Sequence, residues 1–411
     1  MPDKLACRDD VLEVGGDRIE LDRYKKIIVV AIGKAAFQMS RSLTEIVRGR
    51  ALAGIVIASA KPEQELDGFH AYLGGHPYPD QQSFHAADAS RDLLQSLRRE
   101  DLLICLLSGG GSAICERPIS QTISLEDCRE FYRLLVTCGA NIVDMNVLRK
   151  HFSAIKGGRL AKAAHPARQV TLYVSDVPAD KPSTVASGPT MPDESTVEDC
   201  YAIAKRLKLA GRFPRSVQEM FDQSTIPETP KPGDAAFENS SWHCLLGSQD
   251  GLDRLAIQAE SKGWVCRTDM SVDDWPLERA AEHLLGKIEE LQSGHPGQIV
   301  ALLTGGELSW PVTGDGMGGR NQAFVLACAQ RIAGRNIAVV SAGTDGVDGN
   351  SSSAGALADG HSARRASKLG MDTGDYQHRS DSYRFFEQLD DLVITGPTGN
   401  NIRDLRMLVA W

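Results

Sequence analysis

Four apolar runs recur along the chain, and each ends in a glycine-rich turn carrying small polar or charged residues. They are residues 27–33 (IIVVAIG, then Lys34-Ala35-Ala36), 102–112 (LLICLLSGGGS), 299–307 (IVALLTGGE) and 337–349 (IAVVSAGTDGVDG). The apolar part of each is strand-length and rich in Val, Ile and Leu, the pattern of a strand buried on both faces of a parallel sheet. The first half is predicted to hold strands at 27–32, 54–58, 102–107 and 169–174. Helices are predicted at 35–48, 84–99, across 125–150 and at 196–208, with Pro/Gly-rich loops at 70–79 and 175–192. A proline-rich segment without hydrophobic period, 224–238, marks the expected domain boundary. Beyond it, strands are predicted at 244–247, 298–303, 309–312 and 337–341, and helices at 252–262, 277–293 and 323–332. Alternation of this kind signals parallel crossover units and a doubly wound α/β sheet. A length of 411 residues accommodates two such domains, 1–238 and 239–411.

Composition narrows the function classes. A net charge of −9 argues against nucleic acid or an anionic membrane surface as partner. No apolar stretch reaches the roughly 18 residues of a membrane-spanning helix. The start, MPDKLACRDD, has no apolar segment typical of a signal peptide. Nine cysteines without a CxxC pair favour buried reduced thiols over disulfides or zinc, and hence a cytoplasmic location. The expected assembly is a monomer or homodimer.

The turns carry the candidate chemistry. In open α/β sheets ligands bind at the carboxyl ends of strands, and glycines there let the backbone approach an anion. Lys34 opens a predicted helix, where it opposes the helix macrodipole; a phosphate or carboxylate bound at the same spot would relieve that conflict. Ser108, Gly109, Gly110, Gly111 and Ser112 offer consecutive backbone N–H groups and two hydroxyls, the makings of an anion nest or simply of a tight turn. The loop is not a Walker A motif, and the first strand ends in GKAA rather than GxGxxG. Gly305 and Gly306 close a second such strand. The stretch GDGMGGRNQ brings Gly318, Gly319, Arg320 and Asn321 to the start of an apolar helix. Arg320 there is as unfavourably placed as Lys34, and it can clamp a carboxylate or phosphate with two bonds. Asp176, Asp180, Asp345 and Asp348 follow predicted strand ends. They could contact Mg²⁺ or take a proton from a substrate hydroxyl, or equally form Asx-turns and helix caps. His151 and His165 lack metal-ligand spacing and are expected to be structural.

These stretches, together with GGHPYPD, IKGGRLA, SDVPADKPSTVASGPT and TGPTGNNIRDL, resemble the glycerate 2-kinases of the MOFRL type (multi-organism fragment with rich leucine), a family also labelled hydroxypyruvate reductases. The resemblance runs from residue 28 to residue 405, in the family's order. It implies ATP-dependent phosphorylation of D-glycerate at the 2-hydroxyl, giving 2-phosphoglycerate and ADP. It also implies a larger Rossmann-like N-terminal domain and a smaller α/β domain, with the active site in the cleft between them. The family's motif lysine and arginine match Lys34 and Arg320, expected to act on glycerate with Asn321 beside them. Nucleotide phosphates would lie on Ser108–Ser112 and on Gly305, Gly306, Gly318 and Gly319. ATP and Mg²⁺ would be the cofactors, Asp176 a catalytic carboxylate, and Asp176 and Asp345 metal contacts. The chain departs from the family pattern at Ala179, Lys181, Ala323 and the serines at 351–353, and the helical segment usual before the first strand is shortened. An NAD(P)H-dependent hydroxypyruvate reductase and a non-catalytic sugar-acid binding protein are the alternatives. Removing either cation is expected to cut turnover by orders of magnitude while leaving thermal unfolding nearly unchanged.

Overall fold

The computed structural model describes residues 4–61, 64–178 and 180–411; Ala179, one of the departures from the family pattern, lies outside them. The chain divides into two units, Met1–Leu245 and Leu246–Trp411. In the first, a small antiparallel meander comes before any helix: β1 (Leu5–Arg8), β2 (Val11–Val14) and β3 (Asp17–Glu20). The shortened stretch before the first predicted strand is therefore β structure, with Leu5, Leu12, Val14 and Ile19 buried on one side.

Six further strands form the main sheet of this unit: β4 (Lys26–Ile32), β5 (Ala53–Ala58), β6 (Phe69–Leu73), β7 (Asp101–Leu107), β8 (Arg168–Val174) and β9 (Ser240–Leu246). Their order is β6-β5-β4-β7-β8-β9, and every pair from β6 to β8 is parallel. All seven residues of β7 are buried, as its unbroken apolar run requires. The predicted loop at 70–79 begins instead within β6, a half-exposed edge strand whose polar residues concealed it. The predicted helical stretch 125–150 is two helices, Leu125–Thr137 and Ile142–His151. They break where Gly139 takes a left-handed φ of 81° and the Asn141 side chain caps the next helix by accepting from Asp144 N at 2.9 Å. These helices build a separate aromatic core around Phe131, Phe152, Phe213 and Phe221, the last two stacked at 4.7 Å. The strand assigned to the start of the second half, 244–247, is β9 of the first sheet, so the units divide at Leu245 rather than at residue 238.

The second unit holds β10 (Val265–Thr268), β11 (Val300–Gly305), β12 (Ile337–Gly343), β13 (Gly355–Asp359), β14 (Leu392–Val393) and β15 (Asp404–Ala410). The order is β10-β11-β15-β12-β13-β14. Only β10 and β11 pair in parallel; β15 lies between β11 and β12 and runs antiparallel to both. This sheet is thus mixed, not doubly wound throughout. Helix Arg320–Arg331 is buried from Asn321 to Ala329, which makes it the central helix of the unit's core. No strand forms at 309–312; Ser309 makes a single bridge to Pro276.

Candidate active site

In the first sheet the strand order reverses between β4 and β7. The chain builds outward through β5 and β6 on one side and through β8 and β9 on the other. Loops at such a switch point diverge and leave a crevice beyond the strand ends, the usual ligand position in open α/β sheets. Gly33-Lys34 and the Ser108–Ser112 loop both lie there, after β4 and β7. Backbone bonds hold the two turns together: Lys34 N donates to Gly109 O at 2.9 Å, and Ala35 N to Ser108 Oγ at 3.0 Å. Gly33 has φ 133°, and any Cβ there would collide with Ser108. The two turns can approach this closely only with glycine at 33.

The Lys34 side chain is exposed and passes over Gly110, where a Cβ would stand 3.0 Å from Lys34 Cγ. No carboxylate pairs with it among the described residues. Two residues missed by the sequence reading lie near Lys34, the positively charged Arg149 and His76 of GGHPYPD. Burial, and then the Lys34 and Arg149 charges, hold the His76 imidazole below its ordinary pKa. Arg149 lies 4.8 Å over the Tyr132 ring, whose hydroxyl donates to Ser112 O at 3.0 Å. The buried Nε of Arg149 has no acceptor among the described residues. Asp176 packs directly on Gly109, where a Cβ would strike its carboxylate. His151 is fully buried and bonded to Val147 O and Glu228, each at 2.8 Å.

The second unit contains a cavity of about 550 Å³, lined in part by Trp310, Gly318, Gly319, Arg320, Asp345, Asp348 and Asp404. Arg320 is not left for a ligand to neutralise. Its Nε reaches Asp404 Oδ2 at 2.6 Å, and its Nη2 lies 2.9 Å from Glu307 Oε1 and 3.3 Å from Asp404 Oδ1. The Asp404 side-chain bond and charge, then Glu307, raise the Arg320 pKa despite burial. Burial pushes the Glu307 carboxyl up against the Arg320 attraction. The helix start is also occupied from within: Asp348 Oδ1 accepts from Asn321 N at 3.1 Å and Oδ2 from Gln322 N at 2.9 Å. The unfavourable placement inferred for Arg320 is thereby resolved by the protein's own carboxylates. The guanidinium edge at Nη1 has no acceptor among the described residues and stays available. Burial lifts the Asp348 pKa to about 6.

The four glycines expected at phosphates here have packing roles in the structure. Gly319 abuts Asp348, Gly318 abuts Ser382, and Gly306, with φ 97°, abuts Asp273, while Gly305 ends β11. Of these four, Gly318 and Gly319 line the cavity. Asp345 forms an Asx-turn, its Oδ1 accepting from Val347 N at 3.1 Å. Asn321 is buried between Asp348 and Ser341, bonded at 3.2 and 2.5 Å. Asp404, Glu307 and Arg406, missed by the sequence reading, complete the network. Arg406 donates to Asp404 Oδ2 at 3.1 Å and to Gly306 O at 2.8 Å. The motifs GGE and NNIRDL held the signal for Glu307 and Asp404.

Of the expected metal contacts, Asp176 belongs to the first unit and Asp345 to the second. Among the described residues no group of three His, Cys, Asp or Glu side chains is placed to hold a metal ion. Mg²⁺ that arrives on substrate phosphates needs only one or two protein carboxylates and no cage of three.

Residues 2–222 match the model of a domain of unknown function, DUF4147, and residues 300–404 match the MOFRL family. A D-glycerate 2-kinase of Thermotoga maritima is 34% identical over 94% of this chain and 91% of its own length. The chain belongs to the MOFRL-type glycerate 2-kinase family. Family kinship is equally clear in three dimensions: a crystal structure of a glycerate kinase from Thermotoga maritima superposes with a TM-score of 0.84 at 34% identity, over 94% of this chain and 92% of that one. Another family member, from Agrobacterium vitis, carries the hydroxypyruvate reductase name and is 36% identical over 98% of this chain and 92% of its own length. No helix among the described residues is long and apolar enough to cross a membrane.

Proposed function

We propose that this chain is a glycerate 2-kinase, transferring the γ-phosphoryl group of ATP, taken as its magnesium salt, to the 2-hydroxyl of D-glycerate. One observation carries the assignment of the phosphoryl-binding residues: an exposed lysine without a carboxylate partner among the described residues, stationed beside a glycine-rich loop at the switch point of a parallel sheet. A Rossmann-like first unit would take the nucleotide there. Lys34, with Arg149 behind the loop, would stabilise the charge spread over the transferring phosphoryl oxygens. Arg320, held along its Nε–Nη2 edge by Asp404 and Glu307, would offer Nη1 to the glycerate carboxylate. The proton of the 2-hydroxyl would pass to a carboxylate, and Asp176, against the phosphate loop at Gly109, is the candidate. Both units would then serve one reaction, in a cleft closed to water.

The test is release of ADP on mixing the protein with D-glycerate and Mg·ATP, with phosphorus NMR locating the new ester at the 2-position. No ADP release would leave the binding-protein reading. The reductase reading is disfavoured by the first turn, where Lys34 and Ala35 stand in place of a dinucleotide fingerprint. Oxidation of NADH or NADPH by hydroxypyruvate would reverse that preference.

A further inference from the structure

Next to the Ser108–Ser112 loop, the first unit holds another cavity, of about 430 Å³, within the ~300–1,000 Å³ range of small-molecule sites. Val143, Val147, Met191, Pro192 and the ring of Trp242 form an apolar part of its wall, and charged and hydroxyl side chains form the rest. Two polar side chains with spare donors lie among them. Lys150 is buried, its ammonium 3.0 Å from Asp193 Oδ1 and 3.3 Å from Ser183 Oγ. An ammonium has three donors, so one has no acceptor among the described residues. Asn146 uses its carbonyl oxygen to accept from Ser187 Oγ at 2.7 Å, and its amide N–H groups meet no acceptor among the described residues. Ser187 Oγ lies 2.6 Å from Ser112 Oγ. A chain of three side chains, Asn146–Ser187–Ser112, thus links this cavity to the proposed phosphate loop.

The charge lining selects against an anion. Lys150 and Lys181 face three carboxylates, Asp180, Asp193 and Glu194, and Lys150 is already committed to Asp193. Apolar walls with an aromatic ring and a few convergent donors suit an uncharged heteroaromatic group whose ring nitrogens and hydroxyls accept hydrogen bonds. We infer that this cavity takes the nucleoside of the phosphoryl donor, the base among Val147, Met191 and Trp242, with the phosphates leading past Ser187 to Ser112. The inference rests on the kinase reading and adds to it the place of the base.

Val143 stands at the rim with 40% of its surface exposed, so a larger side chain there obstructs the cavity without disturbing the core. For Val143→Phe the KM for ATP should rise about tenfold or more, with the KM for D-glycerate within about twofold of the parent. Calorimetric titration with ADP alone should show the same weakening, independently of turnover. Unchanged ADP affinity in Val143→Phe, or a rise confined to the KM for glycerate, would overturn the assignment even if the parent protein is an active kinase. Weakened ADP binding in a protein that does not phosphorylate glycerate would uphold the cavity and sink the kinase reading alone.

Discussion

Lys34 and Arg320 each follow a glycine near a helix start, Lys34 just before the cap residue Ala35 of helix Ala36–Ile46 and Arg320 as the first residue of helix Arg320–Arg331, and each is a cation where the helix dipole disfavours one. Their surroundings are opposite. Lys34 is exposed and has no carboxylate partner among the described residues, so its charge is open to a ligand. Arg320 is gripped by Asp404 and Glu307, while Asp348 occupies the N-terminus of its helix. The same motif grammar therefore yields an exposed cation, unpaired among the described residues, in one unit and a largely internal ion network in the other. A cation at a helix start is evidence for a bound anion only after the protein's own carboxylates have been counted.

The largest effect should come from Arg320→Ala. Turnover should fall by about 10²–10³-fold. Contrary to the sequence-based expectation, stability should fall too, since Glu307 would lose its ion-pair partner and Asp404 would keep only Arg406. The cost should be about 2 kcal/mol, below the ~3–5 kcal/mol of a fully buried pair because the guanidinium is a third exposed. Thermal unfolding followed by calorimetry checks this, and an unchanged Tm would mean the network is not holding Arg320. Lys34→Ala should lose a similar or slightly smaller share of turnover, about 10²-fold, with its Tm unchanged. A drop in Tm there would erase the contrast between the two cations.

Asp348→Asn sharpens the comparison through pH. Because burial raises the folded-state pKa from 3.8 to about 6, Asp348 supports the fold when protonated, and that support fades as pH rises through about 6. Asparagine does not titrate. The Tm advantage of the parent over Asp348→Asn should therefore shrink between about pH 4 and pH 7; an advantage that grows would mean the ionised carboxylate stabilises the helix start. Asp345→Asn should do least, within about threefold of parental activity, because asparagine keeps the Asx-turn to Val347. A much larger loss in the coupled assay would show that the Asp345 charge itself is required.

Sequence reading succeeded where burial and hydrophobicity coincide. The apolar runs became β4, β7, β11 and β12, and the helix at Leu277–Ser293 was placed to the residue. It failed at β15, the strand that joins both sides of the second sheet. The inward positions of β15 include Asp404 and Arg406, whose charges hide the strand's burial from any hydrophobic pattern. The edge strand β6 escaped for the opposite reason, being polar because it is half exposed.

The sequence by itself determined the α/β class, the family, the glycine turns and the two cations, because each is written in local composition and order. Tertiary structure alone decided which cation is already satisfied. Asp404 stands 84 positions from Arg320 along the chain, and only the antiparallel insertion of β15 between β11 and β12 brings its carboxylate to 2.6 Å. Pairing over such a span is a property of sheet order, which no local pattern encodes.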